Sequence, residues 1–370
     1  MPIKPSEVIG EGSYGCIHKP SLICKNNKKV SYKNKISKLL LTENAISELQ
    51  EYMLISKSDK KGEFFLGIPD LCKVNPTENA IKSIHKCKKL TKRNNNKLIT
   101  KNQLKNYSVL VMKYGGTDLE KLGLEFGKMS ATEINRNKAI IFWKETVRLF
   151  AGLATFIKYD IVHFDLKPQN IVYDKKAGRL NFIDFGHMRT ISDSITSCHN
   201  SSNGLTETAF WNYPFEVQFL NQEHFLKVAR LNGEERNNWY LQFISNLKAH
   251  SEDDFVTAYD TFIDMFTEHM SNEEKMRIEE IYQNDFFKTL NDQVMIEDYD
   301  DFLEKSIKTV DIYGIGLSLQ YMLNYTRHLL PPDFIKKMGE LLYFMTTPDL
   351  SKRYTIVDAI AFYKIAISLL

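Results

Sequence analysis

Residues Ile161 to Asn170 read IVHFDLKPQN, and Phe182 to Gly186 read FIDFG. Two short apolar runs, Ile161-Val162 and Ile171-Val172-Tyr173, bracket a polar loop in which Asp165, Lys167 and Asn170 stand at small fixed offsets. Runs of this kind read as buried strands, so the loop is held at both ends. Nineteen residues beyond Asp165 a third run, Leu180 to Ile183, delivers Asp184 into a Phe-Gly turn. Asn170 and Asp184 are hard oxygen donors of the kind Mg²⁺ takes beside phosphate oxygens. Asp165 is left to meet a hydroxyl nucleophile.

The loop and the turn together resemble the protein-kinase catalytic loop H-R-D-L-K-P-x-N followed by D-F-G. The resemblance implies an α+β, two-lobed fold: a small β-rich N-lobe over residues 1–113 that binds ATP, and a large, mainly helical C-lobe over 114–370. It also implies ATP and Mg²⁺ as cofactors, a protein substrate, Asp165 and Lys167 as catalytic residues, and Asn170 and Asp184 as metal ligands. His163 has a structural place in this motif, and Lys167 favours Ser/Thr over Tyr acceptors. One position departs from the pattern. Phe164 stands where regulated kinases carry an arginine that pairs with a phosphate on the activation segment, so activity without that phosphorylation is expected.

The 370 residues, 43% of them hydrophobic, suffice for one bilobed or two-domain globular body. A formal charge of +3 does not require nucleic acid or a membrane as partner. The charge is uneven: Lys82 to Lys105 holds nine Lys/Arg and no acid, and Glu223 to Glu304 has an excess of acids. Five cysteines without C-x-x-C spacing read as reduced thiols of an intracellular protein and imply no zinc site. The opening MPIKPSEVIGEG has no apolar signal core, and no run is long enough to span a membrane, so a soluble protein is expected.

Val8 to Ile17, VIGEGSYGCI, carries glycines at 10, 12 and 15 between β-branched residues. No helix follows, which excludes the dinucleotide-binding version of G-x-G-x-x-G. The kinase version predicts a strand-turn-strand whose backbone amides approach phosphates, involving Ile9, Gly10, Glu11, Gly12, Ser13, Tyr14, Gly15 and Ile17. The lysine for the α- and β-phosphates is Lys38 in KISKLLL, preferred over Lys33 because Lys38 runs into Leu39-Leu40-Leu41 as on a core strand. A helix over Glu43 to Lys57, with Ile46, Leu49, Met53 and Leu54 at helical spacing, offers Glu51 or Glu48 as its partner. Glu51 is preferred, having Leu54 and Ile55 at i+3 and i+4. Gly62 to Cys72 reads as a returning strand. Lys73 to Asn106, with its Lys/Asn run, reads as a solvated loop; a phosphate or nucleic-acid patch there is the sharper alternative, disfavoured by the lack of stacking aromatics. Val109 to Met112 resembles the strand leading to the kinase hinge, with Met112 at its gate and Asp118 either near a ribose or capping a helix.

Lys138 to Tyr159 has the apolar spacing of one long core helix. Tyr213-Pro214-Phe215-Glu216 resembles A-P-E, whose acid pairs with a late arginine, here Arg353. Asp311 resembles the helix aspartate that holds the catalytic-loop backbone. Between Glu216 and Asp311 lie 94 residues with Phe225, Trp239, Phe243, Phe255, Phe262, Phe266 and Phe286-Phe287 among acids. These predict an inserted helical subdomain over about 217–308. That insertion and the GSYGCIHKP and ISKLL wording resemble Ser/Thr kinases of giant DNA viruses. Two rival functions share parts of the pattern: a small-molecule phosphotransferase of kinase-like fold, and a non-catalytic pseudokinase.

Overall fold

The computed structural model describes residues 5–12, 15–25, 30–200, 212–248, 263–264, 266–295 and 298–370. The chain divides into two compact units, Met1–Gly116 and Thr117–Leu370. The first is built on an antiparallel sheet; the second is mainly helical.

In the N-terminal unit β1 (Glu7–Glu11), β2 (Gly15–Lys19), β3 (Lys35–Leu41), β4 (Asp70–Cys72) and β5 (Tyr107–Lys113) make one antiparallel sheet in the order β1-β2-β3-β5-β4. The central strands are apolar on both sides because both faces of the sheet are covered. Leu40 and Leu110 pack on one face against Ala45 of α1 (Thr42–Ser58). Cys16, Leu39, Val109 and Val111 pack on the other face with Ile84, Leu90, Ile99 and Leu104.

Those last four correct the expected solvated loop over Lys73 to Asn106. The segment forms α2 (Glu78–Ile84) and α3 (Lys88–Arg93), capped by Thr77 and Cys87. Its apolar residues are too sparse for a periodic pattern, but they suffice to roof a sheet. The returning strand expected from Gly62 is confined to Asp70–Cys72. The expectation of reduced thiols is also corrected. Cys16 is bonded to Cys87 and Cys24 to Cys72, leaving Cys198 free and buried. The partners stand 71 and 48 residues apart. Local spacing cannot reveal such pairs; the sheet and the segment packed on it bring them together.

In the C-terminal unit β6 (Thr117–Asp118), β8 (Ile171–Asp174) and β9 (Arg179–Phe182) form a three-stranded sheet, and β7 (Ile161–Val162) pairs with β10 (Arg189–Thr190). The expected single helix over 138–159 is two, α5 (Glu133–Glu145) and α6 (Val147–Lys158). They join at Thr146, whose hydroxyl donates to the Trp143 carbonyl and to the Tyr363 hydroxyl. The other helices are α4 (Leu119–Gly127), α7 (Ile191–His199), α8 (Gln222–Ala229), α9 (Gly233–Lys248), α10 (Asn272–Asp292), α11 (Tyr299–Thr326), α12 (Pro332–Thr346) and α13 (Ile356–Ile367). Every residue of α11 from Thr309 to Thr326 is buried, as in a helix enclosed by its neighbours.

Helices α8 to α10 lie within the long segment between Glu216 and Asp311, and Phe255 and Phe262 of that segment are outside the described residues. Its Phe225, Tyr240, Phe286 and Phe302 share one buried cluster with Val162, Phe164, Ile191 and Tyr213. The segment thus builds core beneath the polar loop.

Candidate active site

Strand β7 enters the polar loop, a 3₁₀ turn at Pro168–Asn170 leaves it, and β8 and β9 then form a hairpin. Two turns in it are sharp enough to put non-glycine residues in the left-handed region, Phe164 (φ 64°) and Asp184 (φ 61°). Such backbone persists only where surrounding contacts fix it.

Helix α11 provides those contacts for the first turn. The buried Asp311 carboxylate accepts from the His163 and Phe164 amides at 2.6 and 2.9 Å. Burial pushes the Asp311 carboxyl up from its ordinary value, while His163 and the two amides act the other way. One helical turn later Gly314 lets the Leu166 carbonyl come close; a Cβ there would stand 2.5 Å from that oxygen. His163 places Nε2 3.1 Å from the Ile183 carbonyl and rests its ring against Phe185, the structural place expected of it. Phe164 is buried, edge-on to Tyr213 at 5.4 Å, with the Arg189 guanidinium 5.5 Å over its ring.

Asp165 and Lys167 are joined, Nζ lying 2.8 and 2.9 Å from the two carboxylate oxygens. Asn170 donates both amide hydrogens to Asp165, to its carbonyl at 2.7 Å and its Oδ2 at 2.8 Å, which turns the amide oxygen away. A further donor was not read from the sequence: buried Asn212 gives Nδ2 to Asp165 Oδ1 at 3.0 Å. It lies 47 residues away, directly before Tyr213-Pro214-Phe215-Glu216, and no spacing rule ties it to the loop. His187 was missed too. Burial lowers its pKa, against the opposing pull of Asp165 and Asp184.

The Ile183 amide donates to the Asn170 carbonyl at 3.0 Å, which sets Asp184 one residue beyond that link. An amide oxygen and a carboxylate delivered by adjacent strand ends fit a small hard divalent cation such as Mg²⁺. Glu216 and Arg353 form a fully buried ion pair, with a second contact at 3.2 Å, as the sequence suggested.

In the N-terminal unit Lys38 is nearly buried on β3, and its ammonium lies 2.8 Å from Glu48. Glu48 is the alternative weighed beside Glu51, which is half-buried on the same helix. The buried stripe of α1 is Ala45, Glu48, Tyr52 and Ile55, while Ile46 and Met53, read as core, are exposed. Taking the bulky residues as the inward face rotated the helix by most of one position. Lys33 lies outside the strands.

Gly10 and Glu11 end β1, and the Gly12 amide beyond them donates to the carbonyl of Gly15, the first residue of β2. A Cβ on Gly15 would fall 2.0 Å from the Leu39 carbonyl, so only glycine fits. Glu11 accepts from the Lys88 and Lys89 amides at 3.2 and 3.1 Å. Ile9 is partly exposed, Ile17 faces Lys38 across the sheet, and Ser13 and Tyr14 lie outside the described residues. Met112 ends the buried part of β5, its sulfur 3.9 Å from the Tyr52 hydroxyl. In the C-terminal unit Asp118 caps α4 through the Lys121 amide and pairs with the Lys121 ammonium.

No family model matches the chain. Over 46 residues it is 46% identical to a Caenorhabditis elegans protein whose name calls it a serine/threonine-protein kinase, gskl-1. Over 96 residues it is 33% identical to a Dictyostelium discoideum protein likewise named, mps1. These segments cover 12% and 26% of this chain and 13% and 9% of those proteins. The likeness is therefore local, and it points to a protein-kinase-like family.

Proposed function

We propose that the protein is an ATP-dependent kinase that transfers the γ-phosphoryl group to Ser or Thr hydroxyls of proteins. The observation that carries this is the cluster at Asp165: a carboxylate fixed by Lys167, Asn170 and Asn212 on a loop anchored to α11. Such a carboxylate orients the acceptor hydroxyl and takes its proton as the oxygen–phosphorus bond forms and the bond to ADP breaks. Lys167 offsets charge on the transferring group. Asn170 and Asp184 are the residues we assign to Mg²⁺, which when bound neutralises phosphate charge. Lys38, oriented by Glu48, is assigned to the α- and β-phosphates, and the β1-β2 turn to backbone contacts with them.

The test is transfer of labelled γ-phosphate to mixed protein acceptors. Asp165→Asn should lower the rate at least ~10²-fold with the fold intact by circular dichroism. Near-normal turnover in that variant would sink the assignment; label appearing only on small molecules would replace the acceptor class.

A further inference from the structure

The segment roofing the N-terminal sheet carries a surface that the proposed chemistry does not use. From Lys82 to Lys105 it has Lys82, Lys86, Lys88, Lys89, Lys92, Arg93, Lys97, Lys101 and Lys105 and no acid, and all nine are exposed. The buried sides of its helices explain why. In α2 Ala80, Ser83 and Ile84 face inward, and in α3 Leu90 does, with Cys87 buried at its cap. Lys82 lies on the outer side of α2, Lys86 in the turn that joins it to α3, and Lys88, Lys89, Lys92 and Arg93 occupy the exposed positions of α3 around buried Leu90.

Elsewhere on the molecule lysines commonly find carboxylates, as at Lys121, Lys175, Lys227 and Lys308. None of the eight lysines here has a carboxylate within ion-pair distance among the described residues. The scaffold beneath them is fixed: Cys87 is bonded to Cys16 and Glu11 holds the Lys88 and Lys89 amides. The whole unit shares the bias, with 22 Lys/Arg against 9 Asp/Glu up to Gly116, while the remainder has 27 against 37. Eight lysines are thus concentrated on an ordered surface with no carboxylate at ion-pair distance from their ammonium groups among the described residues, which favours a polyanion.

We infer that this surface binds the phosphodiester backbone of double-stranded nucleic acid without regard to sequence. The eight lysine ammonium groups act as point charges suited to spaced phosphates. Between them the exposed surface is Asn95, Asn96, Thr100 and Asn102, polar groups that hydrogen-bond to phosphate and sugar. No aromatic residue lies between Lys82 and Lys105, so the stacking platform of single-strand binders is missing. Leu98 is its one exposed large apolar residue, which leaves a lipid surface little to take up.

The experiment titrates the full chain into a fluorescent duplex, DNA in one arm and RNA in the other, without ATP, so its outcome is independent of the kinase reading. If about four phosphates are engaged, affinity should fall about 100-fold between about 50 and about 200 mM salt. Changing Lys82, Lys92, Lys97 and Lys101 together to Gln should weaken binding at least ~10²-fold at low salt and flatten the salt dependence, with an unchanged melting temperature. The same change at Lys57, Lys60 and Lys61 should leave it within about twofold. A preference between the arms identifies the natural duplex. Equal binding by the four-lysine variant, salt-independent binding, or binding only to phosphatidylserine vesicles would overturn the proposal.

Discussion

Asp165 divides its carboxylate among Lys167, Asn170 and Asn212, and the last of these comes from a distant part of the chain. A hydrogen bond to a charged group contributes about 1.5–3 kcal/mol. If the chain acts as the proposed kinase, Asn212→Ala should lower kcat about tenfold or more while the KM for ATP stays within about twofold, as steady-state kinetics would show. Asn212→Asp, which sets a like charge beside Asp165, should lower it further. A second residue with a measurable signature is His18, fully buried on β2 with Nδ1 2.9 Å from the Ser83 hydroxyl. Burial lowers its pKa from 6.5 to about 4. As pH falls through 6.5 the unfolded chain takes up a proton that the folded chain refuses until about 4, so stability is lost across that window. The loss is on the order of 3 kcal/mol at its acid end. Melting temperatures of wild type and His18→Phe should converge as pH is lowered from about 7 to about 4.5.

At the scale of elements, α11 carries the polar loop through two residues, Asp311 and Gly314. Gly314→Ala forces a methyl against the Leu166 carbonyl, and overpacking of this kind costs about 1–3 kcal/mol. It should lower both the melting temperature and kcat, whereas Gly339→Ala on α12, with open space around it, should leave kcat unchanged and raise the melting temperature slightly. Breaking the buried Glu216–Arg353 pair by Glu216→Gln should cost about 3–5 kcal/mol, read by denaturant unfolding. Short-range patterns made these elements legible: the loop, the Asp184 turn, Lys38 on a strand running into leucines, and the residues Glu216, Asp311 and Arg353. Facing was harder to read. On α1 the choice between Glu48 and Glu51 depended on which side met the sheet, and small Ala45 marked it better than bulky Ile46. Contacts over long separations were invisible, as Asn212 on Asp165 and the cysteine pairs illustrate. The joint between β3 and α1 has no intervening residue: Leu41 still pairs with Tyr107, and Thr42 already donates to the Asn106 carbonyl. Strand and helix must therefore move together, which keeps Glu48 in register with Lys38.

Across the whole molecule, covalent bonds replace part of the core that a small sheet unit lacks. In the chain-entropy account, links closing loops of 71 and 48 residues each contribute about 4 kcal/mol. Thiol reductant should lower the unfolding temperature of the N-terminal unit by several degrees, and Cys16→Ala with Cys87→Ala should reproduce part of that loss. An unchanged melting curve, with free thiols verified by alkylation, would show that packing alone suffices. The two links are also nested, the inner pair lying between the outer pair along the chain. A protease that nicks the exposed Lys60-Lys61 turn therefore releases nothing. The severed pieces should travel as one band on a non-reducing gel and part only after thiol is added.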